Sequence, residues 1–116
     1  MSTAIDQDTF QTFLLVVGGD EPEVVQEFID LFIQDSEKLL TEIRQAVEQQ
    51  DAASLVKSAH SLKSSSAQLG ALTLSDYCQT LELMGRDERL DGSEAVLHNA
   101  EAENQRVREA FMNMQR

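Results

Sequence analysis

In this 116-residue chain, the residues whose types and spacing could do chemistry lie between Lys57 and Gln68. His60 has Lys57 three residues before it, Lys63 three after it and Ser64 four after it, with Ala67 and Gln68 a turn further on. On a helix, residues three and four apart are neighbours, so this spacing sets two ammonium groups beside one imidazole. Small residues, Ala53, Ser64 and Ala67, surround the ring. An unprotonated imidazole is a nucleophile, and flanking cations favour negative charge arriving on it. The chemistry implied is that of a histidine reached by something large, which then carries an anionic group.

A lone histidine on a helix flank is ordinarily a plain surface residue. Three features set this one apart. Its neighbours are small where better helix formers would serve. The run Ser64-Ser65-Ser66 is costly in a helix interior, because serine competes for backbone hydrogen bonds. The two lysines also sit on one edge of a chain that is otherwise strongly acidic.

The element that must position His60 is a helix from Ala52 to Leu69. Leu55, Val56, Ala59, Leu62, Ser66 and Leu69 recur at the spacing of a face turned to a core, and Gly70 is placed to end it. At about 100° per residue, His60 lies roughly 110° from the centre of that stripe, where core meets water. A first helix is expected from Asp6 to about Val17, capped by Asp6, with Phe10, Phe13, Leu14 and Val17 inward and Leu15 or Val16 reaching the surface. A second opens at Asp20 to Glu23, with Asp20 as cap and Pro22 in the first turn, and runs to about Gln50. A fourth runs from about Leu72 to Met84, with Leu74, Tyr77, Cys78, Leu81 and Met84 inward and Gly85 as its stop. Residues 86–91 form a charged connection. A fifth begins with Asp91 or Ser93 as cap and Glu94 in a capping box. Val96, Leu97, Ala100, Val107, Ala110, Phe111 and Met114 line its inner face, and Asn104 interrupts that stripe. The fold class expected is all-α: one domain over residues 1–116, an antiparallel four-helix bundle with an additional short N-terminal helix packing across one end.

Composition narrows the function. The formal net charge of −12 argues against nucleic acid and against anionic membrane surfaces, whose phosphates would repel the chain. No apolar run approaches a membrane span and no signal peptide is visible. Cys78 is the one cysteine, so there is no internal disulfide and no thiol metal cluster, and a small core residue is the expected role. A cytoplasmic protein fits these features. There is no phosphate-cradling glycine loop and no kinase signature, so ATP binding is not expected. His98, the second histidine, reads as a surface residue of the fifth helix.

The stretch His60-Ser61-Leu62-Lys63-Ser64-Ser65-Ser66 followed by Leu69-Gly70 resembles the signature of the histidine phosphotransfer (HPt) domain family, His-x-Leu-Lys-Gly-Ser-Ser with Leu-Gly beyond it. One position departs: Ser64 stands where the family usually has glycine. The resemblance implies a four-helix bundle with an accessible histidine, and a phosphorelay intermediate rather than an enzyme. His60 would be the phosphoryl-accepting nucleophile, Lys63 the counter-charge to the phosphoryl group, and Ser64 the residue at the clearance position. Lys57 and Gln68, chosen from helix geometry and not from the motif, join Ser64 and Ala67 as candidate partner contacts. The implied partners are receiver domains of response regulators and a hybrid sensor histidine kinase. The protein would have no cofactor of its own, the Mg²⁺ belonging to the partner receiver domain, and no metal site. A free-standing monomer is expected. Two rival readings stay open: a helical adaptor whose histidine is inactive, and a small metal-binding bundle using His60, His98 and carboxylates.

Overall fold

In the computed structural model, which describes residues 3–19 and 21–114, five α-helices and no strand occur among the described residues: α1 (Gln7–Val17), α2 (Pro22–Glu48), α3 (Ala52–Leu69), α4 (Leu72–Arg86) and α5 (Ser93–Met114). Short turns join them, so α2 to α5 run alternately up and down. α3 packs on α2 and α4, and α5 packs on α4 and α2, which closes a four-helix ring. The interior is filled by Ile43, Leu55, Ala59, Leu62, Leu74, Cys78, Leu81, Leu97, Ala100 and Val107, all fully buried. Each large aliphatic side chain so buried contributes about 1.5–3 kcal/mol. The serines at 64–66 cost α3 roughly 0.5 kcal/mol each relative to alanine. Leu62 and Leu69 alone offset that, so packing rather than propensity holds the histidine helix.

Local signals set the ends. Asp6 caps α1 and Asp51 caps α3, each carboxylate accepting the backbone N–H three residues on at 3.1 Å. α1 lies across the end of the ring. All five phenylalanines of the chain gather there: Phe10 meets Phe111 at 5.5 Å between centroids, Phe111 meets Phe32 at 5.9 Å, and Phe13 meets Phe28 edge-on at 5.2 Å. The turn after α3 is pinned to α1 by the Asp6 N–H donating to the Gly70 carbonyl at 2.7 Å. Gly70 has φ +91°, and a Cβ there would lie 2.6 Å from the Asp6 carbonyl oxygen, so both conformation and space require glycine.

Several expectations are corrected. Gly85 does not stop α4; the helix continues to Arg86, and Arg86 belongs to it rather than to a connecting loop. Gly85 is a contact point, since a Cβ there would stand 2.7 Å from Val56 Cγ2 and 3.1 Å from the Ala52 carbonyl oxygen. Val17 and Met114 are exposed rather than inward, because each lies in the last turn of its helix, past the layer it would cover. α5 begins inside the expected cap: Ser93 is its first residue and is buried, and the Gly92 carbonyl, reached through a φ of +85°, accepts from Val96. α2 ends at Glu48, two residues early, ahead of a left-handed Gln50. Asn104 is buried. The expected cap Asp20 lies outside the described residues; Glu21 occupies the cap position without a side-chain bond. Leu15 and Val16 do both reach the surface, at 83% and 80% exposure.

Candidate functional site

His60 stands near the middle of α3 with its side chain 55% exposed. Its partner is a residue that sequence reasoning missed. Glu82, on α4, has a side chain only 5% exposed, and both its oxygens lie 3.2 Å from His60 Nδ1. Lys63 Nζ donates to Glu82 Oε1 at 2.8 Å. Arg86 donates to Oε2 through Nε at 3.0 Å and through a terminal nitrogen at 2.7 Å. One buried carboxylate thus gathers two cations and an imidazole.

The protonation state follows from these contacts. Burial raises the Glu82 pKa, but hydrogen bonds from Lys63, Arg86 and His60 outweigh it and bring the carboxyl down to about 2. At neutral pH Glu82 is an anion, and an ionised carboxylate only accepts hydrogen bonds. His60 Nδ1 must therefore carry the proton. In the neutral ring Nε2 then holds the lone pair, on the edge turned away from Glu82.

Two contacts fix α4 against α3 on either side of His60. One turn before it, Gly85 lets α4 approach Val56 closely. One turn after it, the Ser75 hydroxyl donates to the Lys63 carbonyl at 2.9 Å. The imidazole is held by rigid helices, which orients a reacting group better than a loop would.

The expected site residues divide into three groups. His60, Ser64, Ala67 and Gln68 come together, lining one shallow open depression with Ser61 and Ser65. Lys63 lies on the opposite side, bound to Glu82. Lys57 faces a separate polar cleft between α2 and α3, with Glu42, Asp51 and Ser58, and Ser61 borders both hollows. Ala67 and Gln68 also line a groove against Thr12, Phe13 and Val16 of α1, so the surface beside His60 continues onto that helix. His98 is exposed on α5. Among the described residues no group of three or more His, Cys, Asp or Glu is arranged to hold a metal ion. Cys78 is buried, and burial pushes its thiol up to about 12, so it is an inert core residue.

Glu82 left a signal in the sequence. It falls on the buried ridge of α4 that includes Ser75, Cys78 and Gly85. An acid in such a row must find cations, and Arg86 stands one turn on.

Comparison with known proteins bears on this geometry. The family model described as Hpt domain matches residues 27–110. A relative from Oryza sativa subsp. japonica, pseudo histidine-containing phosphotransfer protein 2, is 33% identical over 84 residues, covering 71% of this chain and 56% of the relative. The chain thus spans little more than half the length of that protein. Among solved structures, histidine-containing phosphotransfer protein B from Pseudomonas aeruginosa PAO1 superposes with a TM-score of 0.88 at 29% identity, covering 99% of this chain and 96% of that one. The maize histidine-containing phosphotransfer protein ZmHP2 superposes with a TM-score of 0.79 at 25% identity, covering 96% and 88%.

Proposed function

The chain belongs to the Hpt domain family, and from that premise we propose that it is a phosphorelay intermediate of two-component signalling. His60 accepts a phosphoryl group from a phospho-aspartyl receiver domain and passes it to another. The observation that carries this reading is the buried, ionised Glu82 on His60 Nδ1, which leaves Nε2 as the nucleophile. In the transfer, the Nε2 lone pair forms the P–N bond as the acyl P–O bond breaks. The electron pair of that bond leaves on the receiver's carboxylate. The ring gains positive charge, which the Glu82 carboxylate at Nδ1 stabilises without taking the proton.

This chain's own residues orient and counter-charge; they do not bind a nucleotide. Such transfers rest on positioning and electrostatics. The receiver supplies its own Mg²⁺ and acidic pocket, so the protein is a carrier and the partner supplies most of the catalysis. Lys63 and Arg86 together hold one positive charge in excess of Glu82, so Lys63 counter-charges a phosphoryl group on the ring from the Nδ1 side, across the imidazole and not by direct contact. The docking face is the His60 depression and its continuation onto α1, where Leu15 and Val16 are exposed. With a net charge of −12, attraction to a receiver must come from such local apolar contact and from Lys57. A monomer in the cytoplasm, charged by a hybrid sensor histidine kinase, is the setting this reading requires.

The test is label transfer from a phosphorylated receiver domain to the wild type, His60→Gln and His98→Gln. The wild type and His98→Gln should take up acid-labile phosphate and His60→Gln should not. Label on His60→Gln would move the site. No label on any of the three, across a panel of receivers, would leave an adaptor with an inactive histidine.

A further inference from the structure

Resting on the reading of His60 as a phosphoryl carrier, we propose that the Ser64 hydroxyl is a phosphoryl-binding group: it donates a hydrogen bond to an oxygen of the phosphoryl group on His60 Nε2 and holds the phosphohistidine against hydrolysis. One side of the ring is already occupied. Lys57 faces the separate cleft between α2 and α3, and two other cations near His60, Lys63 and Arg86, are bound to Glu82 on the α4 side, where Nδ1 points. The Nε2 edge turns away from them, and the depression that His60 lines carries no lysine or arginine. Its donors are the hydroxyls of Ser61, Ser64 and Ser65 and the amide of Gln68.

Position and existing bonds select among these. Ser61 is adjacent in sequence to His60, and adjacent residues on a helix do not face one another. Ser65 already gives its hydroxyl to the carbonyls of Ser61 and Leu62, at 3.2 and 3.3 Å. Gln68 is two turns away, about 12 Å along the axis at 1.5 Å per residue. Ser64 is four residues on, on the same ridge as His60, where side chains meet. It is exposed, and its hydroxyl has no hydrogen-bond partner among the described residues. Thr12, Thr41 and Thr80 by contrast all bond the carbonyl four residues back.

The consequence is kinetic. In a loose phosphoryl-transfer transition state the P–N bond breaks early, and negative charge on the oxygens of the departing group falls. A donor that bonds those oxygens most strongly in the intact phosphohistidine therefore slows its loss to water.

The experiment needs no partner. Phosphoramidate phosphorylates the ring directly: the Nε2 lone pair forms the new P–N bond, and the P–N bond of phosphoramidate breaks to release ammonia. Wild type, Ser64→Ala, Ser64→Gly and Ser64→Thr are phosphorylated, freed of reagent, and followed by ³¹P NMR at pH 7. Ser64→Ala and Ser64→Gly should lose the phosphoryl group about fivefold faster than wild type, the effect of one hydrogen bond to a charged group in a solvated setting. Ser64→Thr, which keeps a hydroxyl but shares it with the His60 carbonyl as Thr12, Thr41 and Thr80 do with theirs, should fall between wild type and Ser64→Ala. Alanine favours the helix over serine, so faster loss from Ser64→Ala cannot be laid to a less stable fold. Equal lifetimes in wild type, Ser64→Ala and Ser64→Gly would overturn the inference while leaving His60 as the carrier. No phosphoryl signal on His60 in any variant, from phosphoramidate or from a phosphorylated receiver, would overturn the carrier reading and this inference with it.

Discussion

Glu82→Gln separates the electrostatics of the site from its shape. The amide keeps the size of the carboxylate and removes the anion that Lys63 and Arg86 share. In the unfolded chain a glutamate titrates near 4.5, whereas in the fold Glu82 is drawn to about 2. Between those values the unfolded chain binds a proton that the native one does not. The contribution of Glu82 is therefore complete above about pH 4.5 and is lost as pH falls toward 2. At 1.36 kcal/mol per unit, that span sets a ceiling of ~3 kcal/mol. Arg86 is 56% exposed and screened by water, which brings the expected loss at pH 7 to about 2 kcal/mol. For a domain of this size the melting temperature should drop by ~8 °C. The assay is urea unfolding of both proteins at several pH values from 7 to 3. The gap between them should be widest at pH 7 and should narrow below about pH 4.5. The caps Asp6 and Asp51, whose carboxyls are also lowered by hydrogen bonds from Thr9 and Ser54, act equally in both proteins and cancel in the difference. A gap that stays constant from pH 7 to pH 3, or no gap at all, would refute the assignment of an ionised, stabilising Glu82.

Three more outcomes follow from the same geometry. Leu15→Asp with Val16→Asp should leave stability within about 0.5 kcal/mol, since both side chains are in water. It should slow phosphoryl transfer from a receiver but not from phosphoramidate; equal rates from the receiver would remove α1 from the docking face. Lys57→Glu should slow association with a receiver more than Lys38→Glu does, and more so at low salt. Equal effects of the two variants at both salt levels would mean that only net charge matters. Gly85→Ala gains about 1 kcal/mol of helix propensity, yet its methyl group would meet Val56 and the Ala52 carbonyl. Overpacking of this kind costs about 1–3 kcal/mol, so a net loss near 1 kcal/mol in urea unfolding is expected. A raised midpoint would show that α3 and α4 can part without cost.

The bundle was legible because its helices obey local rules. Apolar residues at three and four apart marked the inner faces, and Asp6 and Gly70 stand at the helix ends where their chemistry places them. The failures share one cause. Gly85 is read as a stop when glycine is taken only as a residue for left-handed backbone. Here glycine serves a second purpose, close approach of two helices, and that depends on a neighbour 29 residues away in sequence. Val17 and Met114 have the right phase but sit beyond the layer that would bury them, and periodicity carries no information about where a partner helix ends.

The site divides along the same line. His60, Ser64, Ala67 and Gln68 were legible together because all lie on one helix, and helix geometry alone puts them beside one depression. The placement of Lys63 was not legible. It is bound to Glu82, and Glu82 is 22 residues from His60 on another helix. An isolated reading of α4 gives a glutamate in an apolar row, which is a cost without a purpose. An isolated reading of α3 gives two lysines beside a histidine, which is counter-charge without orientation. Only the crossing of α3 and α4 at Gly85 and Ser75 turns the two into one device, a carboxylate that fixes the imidazole proton on Nδ1 and holds Lys63 and Arg86 at the ring. It follows that changes at Gly85 or Ser75, which touch none of the reacting atoms, act on His60 through the distance between α3 and α4.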